Sequence, residues 1–474
     1  MTPTDFLYLT PILIVAAATL VMMLTVAVSR NYFVVRTISL VTLSAAFLSA
    51  LFLVPPDQHV IPPLFIFDSF SLFFLRLLLA AALFIAFLSD EFFKDQSGEK
   101  EEYFIILFIA TLGACLLLAA NHFISLFLGI ETLSISLYVL IAYTRRIDLS
   151  VEAGVKYLVL ASASSAFLLF GMALMYAGTG SMEFRGITAA LDETIESSPL
   201  LQTGLGMIMV GLGFKLAVVP FHMWTPDVYQ GAPAPVTTFI ATISKGAVIA
   251  VLLRFFIGFH PDQHPAVTTI ITIIAVSSMF TGNILALKQT NIKRILAYSS
   301  IANLGYLLIT LLTTGTDGAR VAFFYLTAYF ITTIGAFSIV SLLTVCGDEA
   351  DQLRLYKGLF WKRPWIALVF TLTMLSLAGI PLTAGFMSKF YLVFGGMKSS
   401  LWLLVISLIV NSVISLYYYL RVITALFSAS DDKEVVSVSV TGNILLTLIA
   451  IGILWLGIMP GWLFDQVLLI TGTK

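Results

Sequence analysis

Five charged side chains interrupt long apolar runs of this chain. Glu131 is the only acid placed deep inside such a run, and lysines recur inside other runs, namely Lys156, Lys215, Lys245 and Lys389. A charge at the centre of a bilayer costs roughly 2.5–3.5 kcal/mol on insertion scales, so each needs a partner or water. Burial disfavours a charged lysine and a nearby carboxylate favours it, so such a lysine can gain or lose a proton. These residue types therefore predict a proton relay, with static ion pairing as the alternative.

The order of these residues suggests how a proton would move. We expect Glu131 to pair with Lys215, with Lys156 as a second partner of the same carboxylate. Lys245 would then pass a proton laterally towards Lys389, the group on the exit side. Opening the Glu131–Lys215 pair would favour loss of a proton from Lys215, because the anion that stabilises its charge is removed.

A histidine follows one of these lysines closely. His222, in the segment PFHMWTPD, is a further candidate for the relay, because a neutral imidazole can orient water or pass protons. Capping of a broken helix is the alternative role. No Ser-His-Asp arrangement, metal-ligand spacing or glycine-rich phosphate loop is visible. The two cysteines, Cys115 and Cys346, predict neither a disulfide framework nor a metal site.

The composition requires that the elements carrying these charges span a membrane. The chain has 474 residues, of which 59% are hydrophobic and only 11% are charged, whereas soluble domains carry roughly 25% charged residues. A soluble fold of this length would lack the charges to cover its surface. The net charge of -1 shows no basic excess of the kind that indicates nucleic-acid binding. The predicted fold class is an all-α polytopic membrane protein.

Hydropathy divides the chain into spans of about 20 mostly apolar residues each. About fourteen spans are predicted, at 5–28, 34–54, 68–89, 102–120, 122–143, 152–177, 201–223, 234–258, 266–286, 292–312, 319–345, 363–396, 401–427 and 440–470. Lysine and arginine are concentrated in alternate loops, which the positive-inside rule assigns to the cytoplasm. Both termini are then predicted on the periplasmic side, as an even number of spans requires.

Two of the predicted spans share an internal break. The segments GLGFKLAVVPFHMWTPD and MLSLAGIPLTAGFMSKF each contain Leu-Ala-x-x-Pro, ending at Pro220 and Pro381. Proline removes a backbone donor and clashes with the preceding turn, and in a membrane such breaks survive only inside protein or beside water. The breaks fall in spans 7 and 12, and an offset of five spans reverses direction across the membrane. This pattern predicts an inverted repeat, with two ordinary proline kinks as the alternative.

The inverted repeat divides the chain into four parts. Spans 4–8 and 9–13 would form two five-helix bundles in which helices 7 and 12 are discontinuous. The predicted parts are an N-terminal three-helix segment (1–100), a first half-channel (101–260), a second half-channel (261–428) and a C-terminal helix (429–474). No connecting loop is long enough to form a soluble domain.

Several motifs resemble the proton-translocating antiporter family shared by complex I, membrane-bound hydrogenases and multisubunit cation/proton antiporters. The resemblance covers nearly the whole chain, most strongly residues 101–425, and rests on SLFLGIETLSISLYVL, EAGVKYLVLASASSAFLLFGMAL, VGLGFKLAVVPFHMWTPDVYQGAPAPV, ALKQTNIKRILAYSSIANLGY and SLAGIPLTAGFMSKFY. The motifs are most similar to the subunit N branch of NADH-quinone oxidoreductase. Lys389 separates them from the related M branch, which uses a glutamate there. The chain stops near span 14, without the long lateral helix expected of the L branch.

The resemblance implies a central axis of charged residues through two inverted half-channels. The family's glutamate of span 5 falls on Glu131, and its lysines of spans 7, 8 and 12 fall on Lys215, Lys245 and Lys389. The implied activity is that of a non-redox subunit of a translocase, which couples NADH:quinone electron transfer in other subunits to proton export. Flavin, iron–sulfur clusters and quinone would belong to those partner subunits, and we expect no cofactor in this chain.

The resemblance also implies partners and a location. The expected partners are neighbouring antiporter-like and small membrane subunits of complex I, the lipid bilayer and protons, but no nucleic acid. A bacterial inner membrane is the expected location. Two alternatives stay open at this point. One is a subunit of a multisubunit cation/proton antiporter or membrane-bound hydrogenase, and the other is a static membrane scaffold.

Overall fold

The structure, a computed structural model, consists almost entirely of helices in the part of the chain it describes. The described residues are 2–56, 58–94, 100–313, 316–344, 349–429 and 438–463. Within them, thirteen helical segments are long and apolar enough to cross a membrane. Two shorter helices on either side of a break form one further span. The protein is therefore an all-α polytopic membrane protein, as predicted.

The N-terminal part contains three long helices and a short hairpin. The elements are α1 (Pro3–Val28), α2 (Tyr32–Phe52), β1 (His59–Ile61), β2 (Phe65–Phe67) and α3 (Ser69–Phe93). The two strands pair antiparallel. Asp68 caps α3, because its carboxylate accepts the Ser71 backbone N–H at 2.8 Å while the Ser71 hydroxyl accepts the Asp68 N–H at 2.9 Å. The same carboxylate binds Arg254 through two hydrogen bonds of 2.9 Å, which ties this part to the next.

Spans 4–8 come from eight helices. These are α4 (Glu101–Leu118), α5 (Phe123–Ile141), α6 (Asp148–Thr179), α7 (Phe184–Thr194), α8 (Pro199–Leu216), α9 (Trp224–Gly231), α10 (Ala234–Phe239) and α11 (Lys245–Gly258). Span 7 consists of α8 and α9 with a break between them. Span 8 consists of α10 and α11 joined by the π-helical turn Ile240–Ser244. The short helix α7, which buries Phe184, Ile187 and Leu191 on one face, is not predicted from hydropathy.

Spans 9–14 come from the remaining helices. These are α12 (Pro265–Leu287), α13 (Ile292–Leu307), α14 (Ile309–Leu312), α15 (Thr316–Leu342), α16 (Leu359–Lys362), α17 (Pro364–Ala378), α18 (Ala384–Lys398), α19 (Trp402–Phe427) and α20 (Val440–Ile458). Span 10 consists of α13 and α14, and span 12 of α17 and α18. Residues 464–470 of the last predicted span, and Cys346, lie outside the described residues.

The two groups of five spans repeat the same neighbours. In the first group α4 packs on α5, α6 packs on α8, and α4 contacts α11. In the second group α12 packs on α13, α15 packs on α17 and α18, and α12 contacts α19. Spans 4–8 therefore correspond to spans 9–13 in order. The inverted repeat that the two Leu-Ala-x-x-Pro motifs predict is confirmed.

Both broken spans end their first helix in the same way. Ala217 after α8 and Gly379 after α17 have a left-handed backbone, with φ of 60° and 84°. In each case the next backbone N–H donates to a carbonyl of the last helical turn, at 3.1 Å in span 7 and 3.0 Å in span 12. This closure satisfies carbonyls that the end of a helix would leave free. Pro220 and Pro381 follow inside the breaks, so both spans are truly discontinuous and not merely kinked.

Candidate functional site

Lys215 lies in the last turn of α8, directly before the break of span 7. Its side chain is buried, and its Nζ donates a hydrogen bond of 2.6 Å to Ser134 Oγ on α5. The ring centres of Tyr157 and Phe214 lie 5.8 and 5.7 Å from the same nitrogen, within the range at which an aromatic face attracts a cation. The carbonyls at the end of a helix also favour a positive charge. Neutral groups therefore stabilise the Lys215 ammonium at this position.

Glu131 does not form the direct ion pair with Lys215 that the sequence predicts. Its carboxylate accepts a hydrogen bond from Ser165 Oγ on α6, whereas Ser134, one turn along α5, makes the contact with Lys215. The cause is the orientation of α5, because Glu131 shares a helical stripe with Ile135, which is 57% exposed. Because Glu131 lies one turn from Ser134 on α5, its carboxylate is still a neighbour of Lys215. The two residues are neighbours that do not touch.

The sequence also predicts Lys156 as a partner of Glu131. In the structure Lys156 instead contacts two other carboxylates. Lys156 binds Glu152, one turn earlier on α6, at 2.7 Å and Asp227 on α9 at 2.9 Å, with its side chain 42% exposed. Arg294 on α13 binds the other oxygen of Asp227 at 2.8 Å. Lys156 therefore belongs to a partly exposed ion network that connects α6, α9 and α13.

Asp227 is the acid that holds this network together. Its two carboxylate oxygens bind the two cations separately, Lys156 at 2.9 Å and Arg294 at 2.8 Å. The network fixes the start of the second helix of span 7 against span 10.

Lys245 begins α11 directly after the π-helical turn of span 8. Such turns are rare and occur frequently at functional sites. The side chain is only 1% exposed, and its Nζ donates a hydrogen bond of 2.7 Å to Ser300 Oγ on α13. The ring centre of Tyr229 lies 5.2 Å from the same nitrogen. Both of these contacts of Lys245 are with neutral groups.

Ser300 connects Lys245 to the second group of spans. Its hydroxyl lies 2.7 Å from the Tyr329 hydroxyl on α15 and 3.4 Å from the Tyr229 hydroxyl on α9. A hydroxyl group both donates and accepts hydrogen bonds. Ser300 can therefore accept from Lys245 and donate to Tyr329 at the same time, which joins spans 8, 10 and 11 in one polar contact.

A small cavity continues this polar row from Tyr329 to Lys389. It has a volume of about 20 Å³, and its lining includes Asn303, Tyr325 and Ser388. A space of roughly 10–15 Å³ with polar partners is enough for one water molecule. Tyr325 stacks on Tyr329 with ring centres 6.4 Å apart, and its hydroxyl donates to Asn303 Oδ1 at 2.9 Å. The cavity thus offers hydroxyl and amide partners along its length.

Lys389 folds back onto the helix that precedes it. Its Nζ donates to the backbone carbonyls of Leu377 and Ala378 at 2.9 and 3.1 Å, and lies 5.5 Å from the ring centre of Tyr306. These carbonyls belong to the end of α17, which carries partial negative charge. Gly379 makes the approach possible, because a Cβ there would lie 2.9 Å from Lys389 Cδ. The lysine is therefore placed by the break in span 12.

His222 and the two prolines occupy the breaks themselves. The imidazole of His222 is buried, and its Nδ1 has no hydrogen-bond partner among the described residues. Pro220 and Pro381 lie between the two helices of their respective spans. His222 stays a candidate for the relay on its position beside the break of span 7.

A cluster of buried amides and phenols in spans 9, 10 and 13 is a feature that was not predicted from the sequence. The Asn283 amide donates to the Tyr306 hydroxyl at 3.0 Å and to Asn411 Oδ1 at 3.1 Å. The Tyr418 hydroxyl in turn donates to Asn283 Oδ1 at 2.9 Å. Uncharged polar residues do not stand out against a hydropathy profile. The sequence pattern that could have predicted this cluster is the recurrence of asparagine and tyrosine at helix positions that face the core.

A buried ion pair at the start of α13 is a second feature without a predicted role. Lys293 is fully buried and binds the carboxylate of Glu349, as well as the carbonyls of Gln230 and Ala232 at 3.0 and 2.6 Å. The other oxygen of Glu349 accepts the Ala234 backbone N–H at 2.7 Å. The pair thus fastens span 10 to the beginning of span 8, close to the helix that ends at the π-helical turn.

The structure does not bring all of the predicted site residues together. Lys245 and Lys389 lie at the two ends of a polar row. Lys215 and Glu131 are neighbours bound to different serines, whereas the remaining two, Lys156 and His222, lie in the Asp227 network and in the break of span 7. No continuous run of hydrogen bonds joins Lys215 to Lys245 among the described residues. The same residues contain no cluster of histidine, cysteine and acidic side chains suited to a metal ion.

The family to which this architecture belongs follows from a match over most of the chain. Residues 120–415 match the family described as NADH:quinone oxidoreductase/Mrp antiporter, TM. The chain belongs to this family. As a member of the NADH:quinone oxidoreductase/Mrp antiporter family, it is an antiporter-like membrane subunit of a multisubunit complex.

Three solved structures show how widely this fold is shared within the family. A chain of respiratory complex I from Thermus thermophilus with bound Aureothin is 32% identical, with a TM-score of 0.83 over 96% of this chain and 98% of that one. A chain of the archaeal membrane-bound sulfane sulfur reductase is 23% identical, with a TM-score of 0.85 over 98% and 96%. A chain of the Mrp complex from Dietzia sp. is 19% identical, with a TM-score of 0.86 over 100% and 98%. The last two show the fold alone.

Proposed function

We propose that this chain is the proton-translocating subunit N of an NADH-quinone oxidoreductase. The identity of 32% with a complex I chain over nearly the full length supports this assignment. Lysine at position 389, where the M branch resembles this chain but has glutamate, supports the N branch. The observation that carries the mechanism is the polar row from Lys245 through Ser300 and Tyr329 to the cavity beside Lys389.

Protons would cross between the half-channels along this row. Lys245 donates a proton to Ser300 Oγ while the Ser300 hydroxyl proton passes to Tyr329, and the cavity residues carry it on to Lys389. In each step a hydroxyl group accepts one proton and gives up another, which is possible because a hydroxyl both donates and accepts hydrogen bonds. Moving one charge against 100 mV costs about 2.3 kcal/mol, which corresponds to a shift of one to two pKa units at about 1.36 kcal/mol each.

The driving signal would act on the Glu131–Lys215 group through charge rather than contact. Glu131 binds Ser165, and Lys215 binds Ser134. A change in the charge or position of Glu131 alters the field at Lys215 without breaking a salt bridge. Because the interior screens charges weakly, such a change is felt over several ångströms.

The remaining features of the proposal concern the surroundings of the chain. It would lie in a bacterial inner membrane with both termini on the periplasmic side. Flavin, iron–sulfur clusters and quinone would be held by partner subunits, so electron transfer and proton export would occur in different chains. The residues 101–260 and 261–428 would act as the two half-channels.

The test is a pair of variants in membranes that contain the assembled complex. Lys215→Ala and Glu131→Ala should each lower proton pumping per NADH oxidised, while the amount of assembled complex stays unchanged. Lys398→Ala is the control, because the side chain of that lysine is 62% exposed and pairs with Asp317 away from the relay. Unchanged pumping in both variants would support the static scaffold instead. Genes for small cation-transport subunits beside this one, without flavin and iron–sulfur subunits, would support the antiporter alternative.

A further inference from the structure

An apolar cavity of about 360 Å³ lies between α8 and α12. Ligand pockets typically have volumes of roughly 300–1,000 Å³. Its walls are apolar side chains such as Leu205, Met209, Ile270 and Ile274, and it extends to Phe221 at the break of span 7. We call it the α8–α12 cavity. It is separate from the polar row that joins Lys245 to Lys389.

The α8–α12 cavity opens sideways between two membrane spans. Ile270 at its rim is 54% exposed. Gly206 faces the open space, since a Cβ built there meets no atom within 4 Å. Both helices are apolar enough to cross a bilayer, so the opening faces the hydrocarbon region, where acyl chains are the surrounding solvent. An alkyl chain can therefore enter this cavity from the side.

The cavity is polar at the end where α8 and α12 begin. His264 lines this end with only 6% of its side chain exposed, and its ring stacks on that of Phe259 with centres 5.1 Å apart. Neither of its ring nitrogens has a hydrogen-bond partner among the described residues. The nearest carboxylate oxygens, of Asp192 and Glu196, lie 3.5 and 3.8 Å from it. Asp192 is already bound to His260 at 2.9 Å, whereas the Glu196 side chain is 73% exposed. A carboxylate and an unsatisfied imidazole thus lie together at the mouth.

We propose that the α8–α12 cavity binds one acyl chain of a phospholipid whose headgroup carries a primary amine. A primary ammonium donates three hydrogen bonds, which suits the Glu196 carboxylate and a ring nitrogen of His264. A trimethylated ammonium cannot donate, and an anionic headgroup finds no lysine or arginine among the residues that line the cavity. The acyl chain then fills the apolar part and contacts Phe221, so the lipid supports the break of span 7.

Binding of the acyl chain is tested with a variant whose side chain fills the α8–α12 cavity. The assembled complex is reconstituted into vesicles that contain phosphatidylethanolamine with a photoreactive tail, and labelled peptides are mapped by mass spectrometry. We expect label on the α8 and α12 residues that line the cavity, and loss of that label in Gly206→Phe. Gly461→Phe is the matched control, since a Cβ at Gly461 also meets nothing within 4 Å. An unlabelled cavity, or label that persists in Gly206→Phe, overturns the proposal.

The headgroup is tested by competition between two lipids. With phosphatidylethanolamine and phosphatidylcholine of identical photoreactive tail, we expect the amine lipid to label the cavity about threefold more strongly, as suits a charge pair at a partly exposed site. Glu196→Gln should remove this preference and keep the label itself. Equal labelling by both lipids in the wild type overturns the headgroup assignment. Cross-linking of another subunit across the cavity shows that protein covers it and overturns the proposal as a whole.

Discussion

Lys245 Nζ lies 2.7 Å from Ser300 Oγ, which itself lies 2.7 Å from the Tyr329 hydroxyl. The lysine belongs to the last span of the first repeat, and the serine belongs to the second span of the second repeat. A hydrogen bond from a buried ammonium therefore bridges the boundary between the two repeats at this point.

The Tyr329 hydroxyl should be essential for passage of protons between the repeats. Tyr329→Phe removes one oxygen from the row and leaves the ring in place, and Ser300→Ala removes the preceding hydroxyl. We expect Ser300→Ala to lower the pumping rate by roughly tenfold or more, because a hydrogen bond to a charged group is worth about 1.5–3 kcal/mol. Tyr329→Phe should lower it by up to roughly tenfold, because a bond between neutral groups is worth about 0.5–1.5 kcal/mol. Ser338→Ala on the same helix is the control, since in the described part of the chain that hydroxyl bonds to its own helix, at the Ile334 carbonyl. A Tyr329→Phe complex that pumps normally would remove Tyr329 from the path.

Gly379 should be required for the position of Lys389. Gly379→Ala places a Cβ 2.9 Å from Lys389 Cδ and forces an L side chain into a left-handed backbone of φ 84°. The backbone cost alone is about 1–2 kcal/mol. We expect a lower unfolding temperature in detergent together with weaker pumping. Gly206→Ala, where a Cβ meets nothing within 4 Å, should change neither. A Gly379→Ala variant as stable and active as the wild type would contradict this placement.

The ion network around Asp227 should make stability depend on pH in the acid range. Asp227 binds Lys156 and Arg294 through its two carboxylate oxygens, and protonation of the carboxyl would remove both ion pairs. A carboxylate that gains ion pairs on folding adds stability above the unfolded-state pKa of about 3.9, and this stability is lost as the carboxyl becomes protonated at lower pH. Asp227→Asn should therefore lower the unfolding temperature at pH 7, and the difference from wild type should shrink below about pH 4. Asp148→Asn, at an exposed position on α6, is the control. A difference that does not change with pH would contradict the assignment.

The Lys293–Glu349 pair should contribute to folding through its burial. Glu349→Gln leaves the fully buried Lys293 ammonium without its anion, and removing one partner of a buried pair costs about 3–5 kcal/mol. We expect a large fall in unfolding temperature for this variant. The double variant Lys293→Met with Glu349→Gln should lose less than the sum of the single variants, because no charge is then left unpaired. Strictly additive losses would show that the two side chains act independently.

The spans themselves are readable from the sequence because apolar length is imposed by the bilayer. The predicted first span at 5–28 is α1 (Pro3–Val28), and the predicted ninth span at 266–286 is α12 (Pro265–Leu287). The two breaks are equally readable, since proline in mid-membrane has a specific backbone cost. The amphipathic helix α7 is missed because it lies in a polar connection and is too short to span.

The rotation of each helix about its axis is what the sequence leaves open. Glu131 and Ser134 lie one turn apart on α5, and only packing decides which of them meets Lys215. Lys156 is drawn to Asp227, which lies 71 residues further along the chain. Tyr329 carries no charge and sits in an apolar helix, so its position in the polar row appears only when α13 and α15 are placed side by side. Contacts between helices, and not the content of each helix, fix the site.

The most direct measurement is the number of protons pumped per NADH oxidised by a Lys245→Met complex in sealed vesicles. Methionine keeps the volume and apolar stem of lysine but removes the ammonium that contacts Ser300. The proposed relay predicts a lower ratio of protons to NADH with the complex still fully assembled and still oxidising NADH. A ratio equal to that of the wild type, at equal assembly, would contradict the row from Lys245 to Lys389 as the path of the proton.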